Sequence, residues 1–158
     1  MIYTVTLNPA LDRSIQVDSL LTDDTTRVSD ETAYAAGKGI GVSRVIRELG
    51  GYSIALGLVG GYAGNQLEGL LINAGVVSDF TMITGETRTN IILKETGSGR
   101  QYVISASGPL ISAAEIGRLY QQVRGLGDMT YLVLSGSLPR GVTPQLYNQL
   151  ILAGRQSG

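Results

Sequence analysis

Residues 39–75 read GIGVSRVIRELGGYSIALGLVGGYAGNQLEGLLINAG, and the spacing of the apolar residues changes twice inside that stretch. Val42, Val45, Ile46 and Leu49 recur at i, i+3, i+4 and i+7, one face of a helix, and Gly50-Gly51 supplies its stop. Ser53 to Val59 is a continuous apolar run of strand length. After Gly60-Gly61, Leu67, Leu70, Leu71 and Ala74 return to helical spacing before Gly75. Strands alternating with amphipathic helices close through right-handed crossovers, which predicts an α/β fold with a mostly parallel sheet covered on both faces.

The flanks extend the pattern. Ile2 to Leu7 is a β-branched run that stops at Asn8-Pro9, where proline cannot donate to a ladder. Phe80 to Thr84 reads as a further short strand. The capping box Ser112-x-x-Glu115 opens a helix carrying Ile116, Leu119, Tyr120 and Val123. Met129 to Leu134 follows as a strand, and a fourth helix is expected with Thr143 as N-cap, Pro144 at its first position, and Gly154 at its end. Other runs are too polar for a sheet buried on both faces: Ser14 to Val17 and Thr26 to Tyr34 around Asp23-Asp24, then Thr89 to Lys94 and Arg100 to Ile104 joined at Gly97-Ser98-Gly99. They predict a small second sheet, a lid or pairing surface, over about residues 12–34 and 89–104. No internal repeat is visible.

Composition narrows the chemistry. The 158 residues carry 12 Lys+Arg against 13 Asp+Glu, a formal charge of −1. The basic residues are scattered, so there is no stripe to neutralise a nucleic-acid backbone. With no Cys and no His, these residues offer no disulfide, no thiolate chemistry, no imidazole base and no Cys/His zinc site. Any general base among them is a carboxylate, a Lys or a Tyr. No membrane-length apolar stretch and no leader pattern appear, so a cytoplasmic protein without membrane contact is expected. The sequence stops after a helix that should feed another strand, and the sheet reads as unfinished.

Functional groups in such sheets gather at the carboxyl ends of the strands. Four segments qualify: Asn8 to Asp12, Ala36 to Gly41, Thr87 to Asn90, and Ser135 to Gly141. Gly37-Lys38-Gly39 at a helix start offers free backbone N–H groups, the positive dipole end and an ammonium to an anion. It is neither a P-loop nor a dinucleotide fingerprint, because its glycine spacing fits neither, and this disfavours a dinucleotide-binding domain. Asp12 is placed to accept from ligand hydroxyls, and Arg88 and Arg140 can present planar forks to a phosphate. Each residue alone has a structural alternative: close helix-to-sheet packing for the glycines, self-capping for Asp12, solvation for Lys38 and the arginines, strand-edge polarity for Asn90. Gly125-Leu126-Gly127-Asp128 spells the G-x-G-D of some kinase anion holes, but the strand that follows makes Asp128 a turn residue.

Met1 to Asp12, Ala35 to Ile40, Gly85 to Asn90 and Ser135 to Gly141 resemble, in order and spacing, the PfkB sugar kinases of the ribokinase superfamily. The likeness is strongest to the 1-phosphofructokinase and tagatose-6-phosphate kinase branch. It implies a ribokinase-like three-layer α/β/α fold with a small β lid, truncated, this chain being the amino-terminal part and the carboxyl-terminal nucleotide-binding part being absent. It implies ATP-dependent, Mg²⁺-assisted phosphorylation of a ketohexose phosphate, fructose 1-phosphate to fructose 1,6-bisphosphate, with a homodimer joined through the lids. Tagatose 6-phosphate or fructose 6-phosphate is the alternative acceptor, and a non-catalytic sugar-phosphate-binding module the alternative function. The resemblance assigns sugar hydroxyls to Asp12, backbone approach to Gly37, phosphate charge to Lys38, the substrate's own phosphate to Arg88 and Arg140, and the pocket lining to Asn90 and Ser137. It places no catalytic residue and no metal ligand in this chain. One departure stands out: the family pattern Gly-Lys-Gly-x-Asn has Gly41 at its fifth position here, so an amide that would bond the sugar is missing.

Overall fold

Strand β1 (Ile2–Thr6) runs through the centre of the main sheet in the computed structural model, which describes residues 1–157. On one side it pairs in parallel with β4 (Ser53–Val59), and on the other with β9 (Tyr131–Leu134). The far edge of β4 is covered by two short parallel strands, β5 (Val77–Ser78) and β6 (Thr81–Met82). These replace the single strand expected at 80–84. Phe80, only 8% exposed, turns inward against Val59, Leu67 and Leu71 and interrupts the ladder. β9 begins at Tyr131 rather than Met129, because its partner β1 begins opposite it at Ile2.

The pleat of β1 sends successive side chains to opposite layers. Tyr3, Val5 and Leu7 join Leu56 and Leu58 under helices α3 (Ala113–Arg124) and α4 (Gln145–Ser157), which contribute Leu119, Val123, Leu146 and Leu150. Ala55 and Val59 face the other layer, with Ile40 of α1 (Lys38–Glu48) and Leu67 and Leu71 of α2 (Gly61–Asn73). The capping box of α3 is formed: Ser112 Oγ accepts from Glu115 N, and Glu115 Oε2 accepts from Ser112 N.

Two helices depart from their sequence patterns. The apolar face of α1 points inward only in part: Val42 and Ile46 are half-buried, but Val45 is 52% and Leu49 82% exposed, while Gly39, Ile40 and Ser43 are buried. The inward face is set by β1, which presents Thr4 and Thr6 there. Ser43 Oγ lies 2.8 Å from Thr4 Oγ1 and accepts from Ser53 Oγ at 3.0 Å. At Gly39 a Cβ would stand 2.8 Å from Val5 O, so only small residues allow this approach. Helix α4 runs through Gly154 instead of ending there. A Cβ at that position would sit 2.8 Å from Leu132 Cδ2, and the glycine serves close packing on β9 rather than a stop. Its start is tight, with Leu146 N and Tyr147 N reaching only to Thr143 O and Pro144 O, so the α-helix proper begins at Gln145.

The polar strands form a separate four-stranded sheet, ordered β3 (Asp30–Ala36), β2 (Ala10–Val17), β7 (Arg88–Glu95), β8 (Arg100–Ile104). β2 and β7 are parallel in register Asp12 to Asn90, and the outer pairs are antiparallel. Every residue of β8 is exposed.

Candidate functional site

Segments 6–12, 36–38, 88–90 and 136–137 meet at the carboxyl end of β1, where the two sheets approach each other. They line a cavity of about 320 Å³ that contains Asp12, Gly37, Lys38, Arg88, Asn90 and Ser137. Arg140 does not reach it. It lines an adjoining cavity of about 730 Å³ with Glu86, Ser107 and Gly108, and Arg88 borders both.

Local chemistry places each group. Thr6 Oγ1 accepts from Ile40 N at 3.0 Å and anchors the first turn of α1. The N-cap residue Gly37 has no side chain of its own to cap the turn, so beyond Ile40 N the helix start is left open, and Gly37 and the exposed Lys38 line the cavity. Gly37, the N-cap, has φ 138°, a region that side chains rarely adopt, and a Cβ there would stand 2.5 Å from Thr6 Cγ2. Asp12 is a strand residue rather than a self-capping turn residue: Asn90 Nδ2 donates to its Oδ1 at 2.8 Å, while Asn90 Oδ1 accepts from Ala106 N at 3.1 Å. Asn90 is thereby oriented, and it occupies only one of the two carboxylate oxygens of Asp12.

Arg88 stands on a braced loop. Thr87 Oγ1 accepts from Gly60 N at 2.9 Å, and Glu86 Oε1 accepts from Ala63 N at 2.6 Å, capping α2. From there the guanidinium donates through Nε and Nη2 to Asn8 O at 3.3 and 3.0 Å, and through Nη1 to Ala106 O at 2.9 Å. Partial burial pulls its pKa down and the charge of Asp12 pushes it back up, but a guanidinium remains a cation. Arg140 gives Nε to Gly108 O at 3.1 Å. Tyr147 OH donates to Gly136 O at 2.9 Å, fixing the loop that carries Ser137.

Thr6, Asn8 and Gly136 line the cavity and were not singled out from the sequence. Thr6 hides in an ordinary β-branched strand. Asn8 carries a signal in hindsight, a polar residue between an apolar strand and a proline.

The pfkB family carbohydrate kinase model matches residues 5–158. The chain belongs to the pfkB family. A D-tagatose-1-phosphate kinase of Bacillus licheniformis is 39% identical over 95% of this pfkB chain and 48% of its own length. A 1-phosphofructokinase of Borreliella burgdorferi is 37% identical over 95% of the chain and 48% of its own length. Phosphofructokinase-2 of Escherichia coli, solved with fructose-6-phosphate, superposes with a TM-score of 0.89 at 33% identity, over 99% of this chain and 52% of that one. The fold is ribokinase-like, and the chain spans about half the length of the curated relatives it matches. Among the described residues, Asp128 sits in a turn ahead of β9 and not at a helix start, and no group of three or more acidic side chains is placed to hold a metal ion. No described helix is long and apolar enough to cross a membrane.

Proposed function

We propose that the protein is a sugar-phosphate kinase that moves the γ-phosphoryl group of ATP to a hydroxyl of a ketohexose phosphate, fructose 1-phosphate becoming fructose 1,6-bisphosphate. This chain supplies the sugar-phosphate side of the site and does not transfer phosphate by itself. The observation that carries the reading is the single cavity that gathers the Asp12–Asn90 pair, the glycine-led start of α1 with Lys38, and Arg88. Asp12 holds sugar hydroxyls, Gly37 brings the backbone close, and Asn90 and Ser137 line the wall. Lys38 and Arg88 meet phosphate charge, and Arg140 completes the phosphate contacts from the adjoining cavity. Positioning and charge neutralisation are most of what phosphoryl transfer asks of a protein. ATP and Mg²⁺ are what the whole protein's reaction would use, and among the described residues no cluster of three or more acidic side chains stands ready to hold the ion. The D-tagatose-1-phosphate kinase relative favours tagatose 1-phosphate as a second acceptor. Two copies pairing through the exposed β8 side of the second sheet is the assembly that fits this surface, and the cytoplasm is the compartment that fits the substrate.

The test combines the chain with the separately produced carboxyl-terminal half of a pfkB relative and assays ATP-dependent phosphorylation of fructose 1-phosphate, tagatose 1-phosphate and fructose 6-phosphate. Turnover by the mixture and none by the chain alone is the expected result. A folded mixture without turnover counts against the kinase. Micromolar binding by the chain without turnover in any mixture favours a non-catalytic binding module.

A further inference from the structure

Asn8 lines the cavity and bonds to three separate parts of it. It is 4% exposed. The two N–H groups of its Nδ2 are shared among three neighbours, Ser107 O at 3.2 Å, Ser137 Oγ at 3.3 Å and Leu138 O at 3.5 Å. Its own carbonyl accepts the Nε and Nη2 of Arg88, and Arg88 Nη2 in turn reaches Ser137 Oγ at 3.4 Å. Asn8, Arg88 and Ser137 thus form a closed ring that joins the end of β1, the start of β7 and the connections on either side of α3 and β9. The main-chain carbonyls of Ser107 and Leu138 can only accept, which settles the amide's orientation. Asn8 Oδ1 is left buried without a partner, and Gly108 packs against it where a Cβ would overlap it. A buried acceptor left unpaired is a cost that an apolar side chain of similar volume would avoid, so the fold keeps the amide for its donor half.

We propose that Asn8 is a positioning residue whose amide sets Ser137, and through Ser137 Oγ the Nη2 end of Arg88, at the boundary of the two cavities, and so governs how a phosphate-bearing ligand is told from its unphosphorylated form. The ligand part rests on the sugar-phosphate reading; the clamp rests on geometry. Asn8→Leu keeps the volume and removes both the donor and the orphaned acceptor, whereas Asn8→Asp sets a carboxylate against two carbonyls that can only accept.

The experiment is NMR on the 158-residue chain, titrated with fructose 1-phosphate and with fructose. The expected result is that fructose 1-phosphate shifts the Arg88 Nε–H and Asn8 Nδ2–H₂ resonances together. In Asn8→Leu the Arg88 Nε–H signal moves before ligand is added, and the preference for fructose 1-phosphate over fructose falls at least tenfold while the thermal midpoint stays within a few degrees. A folded Asn8→Leu with an unchanged preference and an unmoved Arg88 signal overturns the proposal. If the variant does not fold, the native chain decides: Asn8 Nδ2 protons that exchange as fast as exposed amides overturn it. If fructose 1-phosphate moves no resonance in the cleft, the sugar-phosphate reading fails; the clamp then stands or falls on faster hydrogen exchange at Gly108 and Leu138 in Asn8→Leu or Asn8→Asp.

Discussion

Arg88 commits Nε, Nη1 and Nη2 to the carbonyls of Asn8 and Ala106, so its fork reaches the cavity already oriented. A lysine there keeps the charge but cannot bridge those carbonyls. Arg88→Lys is therefore expected to weaken sugar-phosphate binding about 10- to 150-fold, the loss of one charge-assisted bond at roughly 1.5–3 kcal/mol, measured by calorimetry against unphosphorylated sugar as control. Gly41 offers the opposite case. Nothing lies within 4 Å of the position a Cβ would take there, so an asparagine fits without strain. Gly41→Asn is expected to tighten binding by roughly 2- to 12-fold, the yield of one neutral hydrogen bond at about 0.5–1.5 kcal/mol; unchanged or weaker affinity would show that the side chain does not reach the sugar.

At the scale of elements, Glu115 ties α3 to the connection after β6. It accepts from Thr84 N at 2.8 Å and from Ser112 N at 2.7 Å, and these bonds hold its carboxyl at a pKa of about 2, below the ordinary 4.5. A depressed folded-state pKa contributes stability that is whole above the ordinary value and is lost as pH falls from about 4.5 toward 2. The urea midpoint of the native chain should drop across that window. Glu115→Gln should start lower at pH 7, by roughly 1–2 kcal/mol for the damaged cap, and fall less between pH 5 and 2; parallel curves for the two proteins would contradict the assignment. Helix α1 teaches a different lesson. Its existence, its start and its end were readable from residues 37–51, but its orientation was not, because the inward face is chosen by Thr4, Thr6 and Ser53 on strands distant in sequence.

For the whole molecule, β9 has a neighbour on one side only, β1, and beside it Tyr131 is 64%, Leu152 57% and Ile151 41% exposed. An unpaired strand edge next to apolar side chains is a site for self-association. On the second sheet, Val103 and Ile104 of β8 are about as exposed, at 61% and 60%. Light scattering should show a mass that rises with protein concentration, and a concentration-independent monomer would contradict this. Leu152→Lys and Val103→Lys separate the two surfaces: the substitution that restores the monomer marks the one in use.

The sequence by itself determined what depends on neighbours along the chain. Apolar spacing, the Ser112–Glu115 box and the glycine stops specify the order of strands and helices, and the polar runs specify a second sheet, because these signals act over a few residues. The tertiary structure alone decided which faces pack and which atoms meet where the strand-end loops converge. It set Asp12 against Asn90 across a parallel ladder, moved Arg140 into the adjoining cavity, and made Asn8 the point where Arg88 and Ser137 meet. Those contacts join residues 49 to 129 positions apart, and their geometry is set by the packing of whole layers, which no local pattern encodes.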